Sequence, residues 1–152
     1  MPGCAARRAW LALLSAPLLA AAAEPDPRGL AGGTMVALAA HPAVSGVLRG
    51  VARGRQQMVY EGLRLPGPPV ALIEGRWLVG WGCGAPQEGT GCSGRGLFIA
   101  FDAESERLFL LLLEDGEPIY LAPARTARWP AALQAPFAGF ASKLRHGPSF
   151  GE

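Results

Sequence analysis

The run "RLFLLLL", Arg107 to Leu113, is apolar at every position from Leu108 onward. In an extended strand successive side chains point to opposite faces. A strand apolar on both faces must therefore be central and covered on both sides. One layer of helix cannot do that, so the chain needs helical segments on each side of a sheet.

The neighbouring sequence supplies the sheet. "VALI" and "RWLVGW" are separated by Glu74-Gly75, a two-residue hairpin signal. "GLFIAFD", the turn "AESE", "RLFLLLL", the turn "EDGE" and "PIYLAP" follow in order. Polar tips between apolar runs predict an antiparallel meander of about five or six strands. "MVYEGLRL", Met58 to Leu65, also alternates and is read as extended, up to the break "PGPP" at Pro66 to Pro69.

The covers lie at the two ends. In "TMVALAAHPAVSGVLRGVARG", apolar residues recur at helical spacing from Met35 to Val51. Pro42 divides this into two short helices or one kinked helix, and Gly54 ends it. In "RWPAALQAPFAGFASKL", Trp129, Leu133, Phe137, Phe140 and Leu144 recur at three- and four-residue steps. Pro130 suits a first helical turn, and Pro136 would kink this last helix. The fold class is α+β: an antiparallel sheet of about five strands, packed by N- and C-terminal helices.

The N-terminus reads as an export signal. Arg7 and Arg8 precede an apolar run from Ala9 to Ala23, and the small residues Ala21-Ala22-Ala23 precede Glu24. The run is too short and wrongly flanked for a membrane span. Cleavage is placed after Ala23, so residues 1–23 form the signal peptide. An ordinary secretory signal is preferred to a twin-arginine one. Residues 24–33 form a loose Pro/Gly-rich leader, 34–145 the domain and 146–152 a polar tail. The signal holds two of the 14 Lys+Arg and none of the 12 Asp+Glu. The mature chain is therefore neutral. The formal +2 points to no nucleic-acid or anionic-membrane partner.

Cys4 is lost with the signal, leaving Cys83 and Cys92. In an oxidising compartment these two pair. They close a ring, "CGAPQEGTGC", whose interior is Gly84, Ala85, Pro86, Gln87, Glu88, Gly89, Thr90 and Gly91. A closed ring has already lost chain entropy and can enter a cleft at low ordering cost. Gln87, Glu88 and Thr90 are its hydrogen-bonding side chains. Trp77 and Trp81, at i and i+4 on one strand, share a face beside the ring base.

Catalytic and metal signals are weak. His41 and His146 have no cysteine or acidic neighbour at ligand spacing, and the cysteines are committed to each other. No Gly-x-Ser-x-Gly elbow occurs, and Ser45, Ser93, Ser105, Ser142 and Ser149 have no nearby base in sequence. Asp102, Glu104, Glu106, Glu114, Asp115 and Glu117 fall in turns and read as solvated tips. "GWGCGA", Gly80 to Ala85, matches a dinucleotide fingerprint by letter. Pro86, Gly89 and Gly91 forbid the helix that the fingerprint needs. The expectation is a non-enzyme with no cofactor and no metal.

The order of these pieces resembles a known family. "MVALAAHPAVSGVL", then "WGCGAPQEGTGCSGRGLFIAFD", then "ERLFLLLLEDGEPIYLAP", then a final helix resembles the Ivy family, inhibitors of vertebrate lysozyme from the Gram-negative envelope. The resemblance spans roughly Thr34 to Leu144. It implies a periplasmic inhibitor that inserts a protruding, disulfide-closed loop into the active-site cleft of lysozyme. It also implies possible action on lytic transglycosylases, and it allows a homodimer. The family's loop is short, typically Lys-Pro-His-Asp, with its histidine between the two catalytic carboxylates of the enzyme. Here the ring holds eight residues between the cysteines and no histidine. Gln87 is the expected contact, since its amide can donate where Glu88 would be repelled.

Overall fold

Three short helices precede the sheet in this computed structural model, which describes residues 22–87, 91–142 and 144–151. Helix α1 spans Met35–Ala40, and the Thr34 side chain accepts from the Ala37 N–H at 3.1 Å as its N-cap. Helix α2 spans Pro42–Val51. Pro42 fits its first position, where the missing N–H costs nothing. His41 ends α1 and caps α2, with Nδ1 accepting from the Ala43 N–H at 3.3 Å. The segment is thus two helices that meet at His41-Pro42.

Helix α3, Gln56–Gly62, corrects the extended reading of Met58 to Leu65. Val59, Gly62 and Leu63 are buried at three- and four-residue steps, so a helical stripe lay beneath the apparent alternation. Gly62 decides the packing. A Cβ there would lie 2.8 Å from the Leu97 Cβ, so the helix can rest on the sheet only where this side chain is absent.

The sheet uses β1 (Ala71–Ile73), β2 (Trp77–Cys83), β5 (Gly96–Asp102), β6 (Arg107–Glu114) and β7 (Glu117–Ala122). A separate hairpin, β3 (Pro86–Gln87) and β4 (Gly91–Cys92), interrupts it between β2 and β5. The sheet order is β1-β2-β5-β6-β7, and every pair is antiparallel. Glu74-Gly75 and Asp115-Gly116 both have positive φ at each residue, as a tight two-residue hairpin requires.

Strand β6 is covered on both sides. Leu108, Leu110 and Leu112 join Leu38, Val44, Leu48 and Val59 of the N-terminal helices in one cluster. Phe109, Leu111 and Leu113 join Trp129, Leu133, Phe137 and Phe140 in the other. Each such side chain contributes roughly 1.5–3 kcal/mol on full burial relative to exposure. Trp77 and Trp81 both point to the second side. Trp77 packs edge-on to Phe109 at 5.7 Å between ring centroids, and Trp81 meets Phe140 at 5.9 Å.

The C-terminal cover is shorter than the sequence suggests. Trp129–Pro130 is extended as β8, paired in parallel with β9, Phe150–Gly151. A 3-10 turn at Ala131–Leu133 leads into α4, Gln134–Phe140. Pro136 lies in the first turn of α4 and so introduces no kink. Trp129 is fully buried, with ring neighbours Phe98, Phe109, Phe137 and Phe150. Packing on four rings fixes it in an extended segment ahead of the helix. At the other end, Asp26 caps a 3-10 turn at Pro27–Leu30. Gly32 donates to the Val70 carbonyl at 2.7 Å, and Val70 donates to the Gly33 carbonyl at 2.8 Å. The leader is thereby tied to the chain entering β1. The expected signal falls mostly on residues 1–21, outside the described residues.

Candidate functional site

The cysteine ring grows directly out of the sheet. Strand β2 ends at Cys83, and the chain turns out through Gly84 and Ala85, both exposed. It returns through Gly91 and Cys92. Pro86 opposes Cys92 and Gln87 opposes Gly91, so the ring is a ladder-bonded hairpin. Its tip, 88–90, which holds Glu88, Gly89 and Thr90, lies outside the described residues. The disulfide Cys83–Cys92 joins backbones 5.5 Å apart at Cα. Both cysteines are buried in the second cluster, so the root of the ring belongs to the core. "GWGCGA" lies along β2 and the outgoing turn, with no helix beneath it.

The ring has a seat. Gly91 has φ +73°, and a Cβ on it would lie 2.6 Å from the Phe140 carbonyl oxygen. A Cβ on Gly96 would lie 2.5 Å from the Cys92 sulfur and 2.9 Å from the Phe140 ring. These two glycines let the returning limb press onto the end of α4. Further bonds fix the root: the Cys83 N–H donates to the Pro66 carbonyl at 2.9 Å, and the Gly84 N–H to the Arg95 carbonyl at 2.8 Å.

Charged groups gather at this end, and two of them, Arg95 and Glu61, were missed by the sequence reading. Arg95, three residues beyond Cys92, contacts Glu61 at 3.2 Å and Glu114 at 3.7 Å, and its side chain is half exposed. Its position three residues past the second cysteine was the available signal. His146 Nδ1 lies 4.0 Å from a Glu117 oxygen, and both side chains are exposed. Glu117 follows Gly116, whose N–H donates to the Gly94 carbonyl at 3.1 Å. The tertiary fold therefore carries His146 from the far end of the chain to the ring end of the sheet. His41, by contrast, is the cap between α1 and α2. It is buried, and its Nε2 has no hydrogen-bond partner among the described residues.

Asp102 is 1% exposed and is no solvated tip, which corrects the turn-based reading. Burial alone would raise its pKa. Burial is the largest single influence, but the donors together outweigh it: Arg76 Nε and Nη2 at 2.8 and 2.6 Å lead, and the Ser105 hydroxyl and the Glu104 N–H add to them. The carboxyl is held well below its usual range, the opposite of what a general acid needs. A cavity of about 500 Å³ lies between α1 and residues 63–69. Its lining, from Gly32 to Val36 and from Leu63 to Pro69 with Trp81, contains no carboxylate and no imidazole. Among the described residues no group of three His, Cys, Asp or Glu could hold a metal.

With this geometry in view, the family match is direct. A family model described as inhibitor of vertebrate lysozyme (Ivy) matches residues 43–143. The chain belongs to the Ivy family. Neither the curated proteins nor the solved structures contain a match. The Ivy match runs from α2 through the five-stranded sheet and the ring to the end of α4. No helix among the described residues is long and apolar enough to cross a membrane.

Proposed function

We propose that the protein is a secreted, periplasmic inhibitor of a peptidoglycan-cleaving enzyme of the lysozyme class, acting by insertion of the 83–92 ring into the active-site cleft. The observation that carries this reading is the build of the ring. Its root is locked by a disulfide into the core and pressed on Phe140, while Gly84 and Ala85 at its start are exposed. A hairpin ordered in advance loses little entropy on docking. The contacts are assigned to the ring interior, Gly84 to Gly91, with Gln87 as the principal donor to the cleft carboxylates.

One feature favours a second reading. The ring contains no histidine and carries Glu88, which two cleft carboxylates would repel. An Ivy-like envelope protein that binds without inhibiting lysozyme, acting on lytic transglycosylases, fits that difference. Lysis of a cell-wall suspension by a vertebrate-type lysozyme, with wild type and with Gln87→Ala/Glu88→Ala, separates the two. Wild-type inhibition that the double variant loses by about tenfold or more supports insertion. Equal inhibition by both proteins removes the ring tip as the probe, and no inhibition by folded wild type moves the target to the transglycosylases.

A further inference from the structure

At the end of the sheet opposite the ring, a second cavity of about 340 Å³ is lined by Arg76, Arg107 and Arg128. The register explains the meeting. Trp77 opposes Asp102 and Asp102 opposes Arg107, so Arg76 and Arg107 start neighbouring segments of one row across β2, β5 and β6. Arg128 comes from the approach to β8. The ring root sits at the other end of these strands, where Cys83 opposes Gly96 and Gly96 opposes Leu113.

Each guanidinium has a support. Arg76 lies 4.8 Å from the Trp77 ring centroid and Arg107 lies 5.3 Å from that of Phe109. Arg128 lies along the backbone of β9, where a Cβ on Gly151 would be 3.1 Å from its Nη1. Their electrostatic positions differ. Arg76 is paired with Asp102 at 2.6 Å and with Glu104 at 3.3 Å. The Asp102 oxygens are already taken by Arg76, Ser105 and the Glu104 N–H. Among the described residues Arg107 and Arg128 form no ion pair. Three guanidinium groups thus line one cavity with a single carboxylate, Asp102, and that carboxylate is spent on Arg76.

Like charges that share a cavity repel, and an anion placed between them relieves the repulsion. Guanidinium groups present forked N–H donors that match the paired oxygens of carboxylates and phosphates. We propose that this cavity is a binding site for a compact multivalent oxyanion, held between Arg107 and Arg128, with Arg76 fixed by Asp102 as its inner wall. The site is separate from the ring and does not depend on what the ring binds. Carboxylates and phosphates share this chemistry, and two probes distinguish them.

The test is calorimetry and thermal unfolding of the oxidised protein with sodium citrate and sodium pyrophosphate, each against sodium chloride at matched ionic strength. Binding of one anion per chain with Kd at or below about 1 mM is expected, with a Tm rise beyond that in chloride. Binding of citrate alone assigns a carboxylate ligand, and of pyrophosphate alone a phosphate ligand. Arg107→Gln/Arg128→Gln should weaken binding by about tenfold or more. Both side chains are exposed, so the circular dichroism should not change. If the double variant does not fold, the two single variants serve, each weakening binding severalfold. Gln87→Ala should bind both anions as wild type does. A Tm equal to that in matched chloride, or unweakened binding by the arginine variants, overturns the site.

Discussion

Asp102 can stay charged while buried because four donors reach it: Arg76 Nε and Nη2, the Glu104 N–H and the Ser105 hydroxyl. Asp102→Asn would keep the shape and remove the charge. It is expected to cost about 2–3 kcal/mol, less than a wholly buried pair because the Arg76 side chain is 39% exposed. Acid should act on the same contact. The folded-state pKa lies below the unfolded value near 3.8. Above that value Asp102 is ionised in both states, and its contribution is complete. As pH falls below about 4 the unfolded chain takes the proton first, and the contribution drains away towards the lower folded value. Urea midpoints from pH 6 to pH 2 should fall more steeply for wild type than for Asp102→Asn. Parallel curves would mean that the pair contributes little. The turn "AESE" was legible as a turn, and Glu106 N–H donating to the Asp102 carbonyl closes it. The partner was not legible. Arg76 is 26 residues away and meets Asp102 only through the pairing of β2 with β5.

At the scale of elements, the ring and its seat form one unit. Gly91→Ala would force a side chain into positive φ and against the Phe140 carbonyl. About 2 kcal/mol of lost stability is expected, along with displacement of the ring from α4. Gly84→Ala is the control: a Cβ there meets nothing closer than 3.6 Å, so a change within about 0.5 kcal/mol is expected. Denaturation midpoints of the two variants check the seat, and equal midpoints would remove it. The seat could not be read from spacing, since Gly91 and Phe140 lie in different elements. What spacing did reveal was local. Leu108 to Leu113 demanded two covers, and both are present. Glu74-Gly75 and Asp115-Gly116 are turns as their residues suggested. The stretch from Met58 to Leu65 misled because its alternation and its helical stripe coexist. Gly62 against Leu97 settled the matter by a contact that no local pattern contains. Trp129 misled in the same way: its spacing continued the helix, but its aromatic neighbours hold it in β8.

For the whole molecule, the question is whether the ring stabilises the fold, binds a target, or does both. Its root is buried in one of two clusters, while the other cluster, from Met35 to Leu112, includes neither cysteine. Opening a ring of this size should cost about 2.5–3 kcal/mol through loop entropy. A domain with two such clusters should remain folded after that loss, since typical stability is about 5–15 kcal/mol. Cys83→Ala/Cys92→Ala is therefore expected to melt several degrees lower but to keep its circular dichroism at 25 °C. Target binding should then weaken beyond the stability effect. The open hairpin must be ordered on docking, at about 0.5–1.5 kcal/mol for each side chain immobilised, so a loss of tenfold or more in Kd is expected. Measuring both quantities at one temperature, well below the melting point, distinguishes the roles. A lower Tm with unchanged Kd would make the disulfide a staple only, and would place the binding surface elsewhere. Loss of affinity in a protein still fully folded identifies the closed ring as the part that engages the enzyme.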